Sequence, residues 1–437
     1  MAAVTTTVDT TGTSRREQRK VLAGTMIGTT IEWYDFFIYA NAVALVFAQL
    51  FFNFGEAGPL AQIIAFMSIG ISVIFRPLGS VLAGHFGDKL GRKKLLVITL
   101  TTMGVATALM GILPTSEQIG IWAPVLLILL RIIQGMSTGG EWAGAALMAV
   151  EHAPAKKRGL FGAFPQTGAP AGMLLATAVI ALVTWLTTEE QFLAWGWRIP
   201  FLLSIVLIIV GIVIRQTVDE SPAFHAMQKK GSVVKNPLPL VFRNHGKKIW
   251  QGTWAYAGVN AASMMILAGY LLNYTTQHLD MPVTPVLLMV VAGNLLSILA
   301  TLWAGSLSDR IGRVRTYQIG FVLLAIWVFP MFWLVETGSL WLTFVAILGI
   351  CVFQAFAYGQ QSAMYVEMFP ANVRYTGASI SYALGSVIGG AFTATIAEIL
   401  RTTFSSTTPI AVYLSLWAVI ALAVVSTIRD KTGQPLE

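Results

Sequence analysis

Apolar residues in this chain run in long blocks, without the short alternation of strands or the one-sided stripe of a water-facing helix. Twelve stretches are long enough to cross a bilayer as helices, which takes about 20 mostly apolar residues each. They cover residues 21–46, 60–83, 95–114, 121–149, 160–186, 199–216, 249–277, 283–305, 316–335, 340–364, 376–400 and 409–428. The connections are short except for residues 217–248, a polar segment with Lys229, Lys230, Lys235, Arg243, Lys247 and Lys248. This linker separates an N-terminal six-helix bundle (21–216) from a C-terminal one (249–428), with tails at 1–20 and 429–437. The predicted fold is an all-α membrane protein of twelve transmembrane helices in two pseudo-symmetric bundles.

Composition sharpens this. Of the 437 residues 56% are hydrophobic and 11% charged, against about a quarter charged in soluble proteins, which excludes an ordinary water-soluble enzyme. The single cysteine, Cys351, allows no internal disulfide. A net charge of +8 suggests nucleic acid in a soluble chain, but here the bases are sorted by loop. All but Arg76, Arg131, Arg198, Arg215 and Arg401 of the 28 Lys and Arg lie in the two tails and the loops after even-numbered spans. The opposite loops carry Glu56, Glu117, Glu189, Glu190, Asp280 and Glu336. Basic loops stay inside, so both termini are expected in the cytoplasm. The partners expected are a lipid bilayer and a small molecule, and no nucleic acid. Residues 1–20 read as a cytoplasmic tail, since no short apolar segment with a cleavage site precedes their basic cluster.

The halves repeat each other. GHFGDKLGRKK (Gly84–Lys94) after span 2 returns as GSLSDRIGRVR (Gly305–Arg315) after span 8, matching Gly84, Asp88, Gly91 and Arg92 to Gly305, Asp309, Gly312 and Arg313. Glu151, Pro154 and Arg158 after span 4 return as Glu367, Pro370 and Arg374 after span 10. Glycine permits tight turns and close helix approach. The acids can cap a helix or meet an Arg. Such a cluster can latch one face of the protein and break when that face opens. A basic loop that only sets topology leaves the spaced Gly, Asp and Arg unexplained.

These two loops, with Arg131-Ile-Ile-Gln-Gly in span 4, resemble the major facilitator superfamily. EWYDFFIYA (Glu32–Ala40), FRPLGS (Phe75–Ser80), GGEWAGAAL (Gly139–Leu147), WGWRIPF (Trp195–Phe201) and VRYTGAS (Val373–Ser379) resemble its metabolite:proton symporter family, nearest in look to the shikimate-type branch. The resemblance implies alternating access, spans 1, 4, 7 and 10 around a central cavity, and a location in the bacterial inner membrane. It also implies a monomer without cofactor or metal, with the proton as coupling ion.

Charges inside a bilayer cost several kcal/mol and face a cavity or a partner. Asp35 and Glu32 share a face of span 1 at i and i+3. Asp35 and Arg131 (span 4) both fall near mid-membrane, so Asp35 is expected as the main proton carrier, with Arg131 as its partner. Burial favours a protonated acid and a nearby guanidinium favours a carboxylate, which makes proton uptake conditional on conformation. The alternative is a static ion pair. Glu32 can share the proton. Glu141 either relays protons or braces span 4. Arg76 binds a substrate carboxylate or pairs with Glu141 or Glu32. Glu398 and Arg401 form an interfacial pair.

The polar groups expected to hold substrate are Tyr34, Gln166, Tyr256, Asn260, Gln354, Tyr358, Gln361 and Tyr382, with Arg76. Phenols and amides bond hydroxyls and carboxylates without fixed charge. The leading expectation is proton-coupled import of a small organic acid such as a shikimate-like or mono- or dicarboxylate. The alternative cargo is a zwitterion such as proline or betaine, although the long C-terminal heptad extension of the osmosensing branch is missing. An intramembrane enzyme is disfavoured because no metal cluster, phosphate loop or nucleophile elbow is seen. The family strings argue against a drug-exporting antiporter.

Overall fold

A computed structural model describes residues 15–52, 58–217, 220–229, 237–267 and 270–436. Among the described residues the chain is all helical. The spanning segments are α1 (Arg15–Ala42, continued by a π turn into Ala48–Phe51), α2 (Gly58–Leu90), α3 (Arg92–Ile112), α4 (Trp122–Glu151), α5 (Arg158–Gln166 and Gly168–Leu186) and α6 (Arg198–Gln216). The second half has α7 (Pro237–Leu267 and Tyr270–Gln277), α8 (Val283–Ile311), α9 (Arg313–Glu336), α10 (Leu340–Tyr358 and Gln361–Met368), α11 (Arg374–Gly390 and Thr393–Phe404) and α12 (Thr408–Val425). Eleven helices are long and apolar enough to span a membrane, or twelve if the bent α1 counts as one.

Several helices outrun their apolar stretches. The stretch Pro237–Leu267 kinks at His245, whose φ of −131° is not helical; the arm before the kink lies inside the polar linker, which also holds a short helix, Pro222–Lys229. Once apolar side chains fix a helix in lipid, its backbone ladder continues into water until a proline, a glycine or a capping acid stops it. α5 breaks at Thr167, within the Gly- and Pro-rich FPQTGAP, and α10 breaks at Gly359–Gln360. Freed backbone groups are tolerated at such depth where protein surrounds them.

Packing follows the repeat. In the first half α2 packs on α4, α3 on α4 and α6, and α1 on α5; in the second α8 packs on α10, α9 on α10 and α12, and α7 on α11. The halves meet through α2 with α11 and α5 with α8. A methyl on Gly159 would lie 2.3 Å from the Gly305 carbonyl, and one on Gly84 2.9 Å from Thr376, so glycine sets the distance between the halves at both crossings.

The turns Gly91 and Gly312 share one left-handed conformation, each with φ 101°. An acid sits on each. Glu220, after α6, accepts the Arg92 and Lys93 N–H groups that start α3, both at 3.1 Å. Asp430, after α12, accepts the Val314 N–H at 3.0 Å. The repeat therefore includes an acid that caps the helix after the Gly turn, as expected at a helix N-terminus. A Cβ on either glycine would also collide with its capping carboxylate.

Glu141 of α4 forms a buried ion pair with Arg215 of α6 and accepts a hydrogen bond from Thr99 of α3 at 2.7 Å. It therefore braces three helices; a pairing with Arg76 is not formed. Removing one member of a buried pair strands the other and costs about 3–5 kcal/mol. Glu141→Gln and Arg215→Gln should each lower the unfolding midpoint clearly, and the double variant should lose less than their sum. Equal, additive losses in a thermal melt would show that the pair is not coupled.

Candidate functional site

Between the halves lies a cavity lined by α1 (Trp33), the α5 break (Ala169, Pro170), α7 (Tyr256, Asn260, Ser263), α8 (Asn294, Ser297) and α10 (Cys351, Gln354, Tyr358). Tyr256, Asn260, Gln354 and Tyr358 from the sequence reading thus meet in one place. Ser263, Asn294 and Ser297 were missed: single hydroxyls and amides in apolar helices carry no pattern that separates cavity lining from interhelical bonding. Gln354 donates to Ser263 at 2.5 Å, and the Asn260 amide donates to the Ser386 carbonyl at 3.0 Å.

An aromatic stack beside the cavity crosses the halves; Tyr256 lines the cavity, while Tyr382 and Gln166, expected there from the sequence, do not. Trp142 of α4 stacks on Tyr382 of α11, with ring centroids 4.1 Å apart, and Tyr382 stacks on Tyr256 at 4.3 Å. Trp142 donates to the Gln166 carbonyl oxygen at 2.6 Å, and the Gln166 amide donates to the Tyr358 backbone at 3.2 Å. Trp142 and Gln166 correspond to Tyr358 and Tyr382 at the spacing that relates Glu151 to Glu367. The repeat therefore ties itself together at its own equivalent positions. Gln361 is buried beside the α10 break and neither polar atom of its side chain is hydrogen-bonded; it does not line the cavity.

Tyr34 needs correction as a cavity residue. Its hydroxyl donates to the Pro200 carbonyl of α6 at 2.8 Å, inside the first half. The expected contact of Asp35 with Arg131 is also replaced by a longer connection. Asp35 is fully buried and accepts from Ser204 of α6 at 2.6 Å and Thr107 of α3 at 3.0 Å. The Thr107 hydroxyl accepts from the Gln134 amide at 2.9 Å, and the Gln134 carbonyl oxygen accepts from Arg131. Arg131 also donates to Ser72 at 2.8 Å and lies over the Tyr39 ring at 3.8 Å, a cation–π contact strengthened by the dry surroundings. A hydroxyl and an amide thus stand between acid and guanidinium.

Glu32, also buried, has one carboxylate oxygen without a hydrogen-bond partner. Arg76 lies in electrostatic reach of Glu32, Tyr256, Tyr358 and Tyr382. Its guanidinium sits 5.7 Å from the ring of Trp33, which lines the cavity, and 5.6 Å from Phe36. Among the described residues no ion pair includes Glu32, Asp35, Arg76 or Arg131. Two buried acids and two buried cations are therefore held without neutralising one another directly, an arrangement that is costly unless protons or a ligand complete it.

At the end of the molecule that carries the basic loops, two triads face each other. Glu151 accepts from Arg374 of the other half at 2.9 Å and lies 3.6 Å from Arg92 of its own. Glu367 lies 3.2 Å from Arg313 of its own half and 3.9 Å from Arg158 of the other. Arg92, Glu151, Arg158, Arg313 and Arg374 are all at most 1% exposed. Asp309 accepts the Gly159 and Leu160 N–H groups that open α5, at 2.8 and 2.9 Å, and pairs with Arg313 at 2.8 Å. The Asp88 side chain lies outside the described residues. Tyr375 donates to the Gly140 carbonyl at 2.6 Å. The basic end is closed by contacts between the halves. At the other end Glu398 pairs with Arg401 at 2.7 Å, as expected, and Arg198 donates to the Gly111 and Leu113 carbonyls at 2.8 Å.

The profile of the Major Facilitator Superfamily matches residues 25–394. The chain belongs to that superfamily. Its members are transporters, not enzymes, and this chain is a transporter in the membrane. It is 38% identical to the shikimate transporter of Escherichia coli K12 over 424 residues, covering 94% of each chain. It is 30% identical to the proline/betaine transporter of the same organism, over 96% of this chain and 85% of that one. Among solved structures it is similar to the proton:xylose symporter XylE bound to 6-bromo-6-deoxy-D-glucose, with a TM-score of 0.81 and 17% identity, over 96% of this chain and 98% of XylE. The superfamily fold accounts for the paired bundles.

Proposed function

We propose that this protein imports a small hydroxylated organic acid, of the shikimate type, together with protons across the bacterial inner membrane. The basic end then faces the cytoplasm, and substrate enters the cavity between the halves from outside while the two triads hold the cytoplasmic side shut. The unneutralised set Glu32, Asp35, Arg76 and Arg131 carries this reading. Arg76, beside the cavity and without an acid partner, receives the carboxylate. Asp35 is the principal proton carrier, with Glu32 sharing the proton nearer the cavity and the Thr107–Gln134 bridge linking Asp35 to Arg131.

The cavity favours a hydroxylated acid over a zwitterion. A quaternary or secondary ammonium group is best held against open aromatic faces. Here one face of Tyr256 is covered by its stack on Tyr382, while Asn260, Ser263, Asn294, Ser297 and Gln354 offer hydrogen bonds to hydroxyls. Competition tests the choice: unlabelled shikimate should abolish uptake of labelled shikimate into proteoliposomes, and excess betaine should leave it intact. Strong inhibition by betaine would favour the zwitterion.

A charge-assisted hydrogen bond contributes about 1.5–3 kcal/mol, which corresponds to roughly 10- to 150-fold in affinity. Arg76→Gln should raise the half-saturating substrate concentration by that order, with the protein still folded. An unchanged value would remove Arg76 from the site.

A further inference from the structure

The two halves carry corresponding cavities at their basic ends, and the difference between them is chemical. In the first half a cavity of about 330 Å³ lies between α1, α3, α4 and α6, walled by Val21, Leu96, Ala145 and Met148. Its Arg215 is taken by Glu141. In the second half the cavity of about 700 Å³ lies between α7, α9, α10 and the segment after α12. Met364 and Val314 stand there in place of Met148 and Lys93 by the internal repeat.

This second cavity is cationic. Lys247, Lys248, Arg313, Arg429 and Lys431 line it, against two acids, Glu367 and Asp430. Both acids are already engaged. Glu367 is held by Arg313 and Arg158. Asp430 accepts from the backbone of Val314 and from both the backbone and hydroxyl of Thr432. Lys247 and Arg429 are exposed and form no ion pair among the described residues.

The neighbouring surface indicates which kind of anion these cations meet. Trp250 follows Lys247 by one turn of α7, so the two share a face. Trp250 is 54% exposed, and Phe242, before the kink at His245, is 52% exposed. Exposed Trp at a span end marks the headgroup level of a bilayer, and basic pockets between spanning helices hold anionic headgroups. We propose that this cavity binds the phosphate of an anionic phospholipid from the adjacent leaflet, with Lys247 and Arg429 as its principal cations.

The test uses the full chain purified in detergent and its thermal unfolding midpoint. Phosphatidylglycerol should raise the midpoint more than phosphatidylcholine does. The double variant Lys247→Gln/Arg429→Gln should lose more than half of that difference and keep the response to phosphatidylcholine. Lys156→Gln/Lys157→Gln, which removes exposed bases at the same end outside the cavity, should keep it. Equal responses of the native chain to both lipids would overturn the proposal. So would a full phosphatidylglycerol response in the first variant, or an equal loss in the second. Inorganic phosphate alone should give no shift; a shift as large as that from phosphatidylglycerol would assign the cavity to a soluble anion instead. None of these outcomes depends on which cargo the transporter carries.

Discussion

Glu151→Gln should open the basic end. The substitution leaves Arg92 and Arg374, both essentially without exposure, facing a neutral amide. Stranding a buried charge costs about 3–5 kcal/mol, equivalent to a shift of roughly 100- to 5,000-fold in a two-state equilibrium. The cost falls on the closed state, because opening returns these guanidinium groups to water. Spin labels on Lys157 and Arg315, exposed residues in opposite halves, should report a longer distance in the variant than in the native chain. Glu367→Gln should act in the same direction through the second triad. Transport should fall in both variants, because a face that no longer closes cannot alternate. Distance distributions unchanged in both would show that the triads do not hold the gate.

Asp35→Asn should uncouple substrate from protons. The amide keeps the shape of the group and can still bond Ser204 and Thr107, but it cannot exchange a proton. A one-unit pH difference supports about tenfold accumulation per proton carried. The variant should lose that accumulation while still exchanging labelled for unlabelled substrate across the membrane. Thr107→Val cuts the connection between Asp35 and Arg131 without removing either charge, so it should shift the pH at which uptake is half-maximal. Accumulation by Asp35→Asn equal to that of the native chain would move the coupling role to Glu32.

The twelve spans and the repeat were legible because they rest on long-range regularities: apolar blocks and a second copy of a signature. The ion pairs at the basic end were legible for the same reason, since Glu151 and Glu367 pair with the residues that recur with them. What the sequence hid was direction. Glu32 and Asp35 share a helix face by spacing, yet Asp35 turns into the first bundle toward Thr107 and Ser204, while Glu32 lies in reach of Arg76 and Arg215. A three-residue step leaves a rotation of about 60° between side chains, enough to send them to different neighbours. Tyr34, one residue before Asp35 and so about 100° further round the helix, bonds α6 through Pro200. Arg215 stands at the end of span 6, and nothing in the sequence links it to Glu141. Glu220 and Asp430 escaped because the acids recur at different distances from their glycine turns, although they perform the same capping.

The most direct measurement of the proposed coupling follows both cargo and proton in one vesicle. Proteoliposomes with a pH-sensitive dye inside and equal pH on both sides receive external labelled shikimate. The proposed mechanism predicts internal acidification that rises with shikimate entry and is absent for Asp35→Asn. Shikimate entering without acidification, or the same acidification in Asp35→Asn, would contradict it.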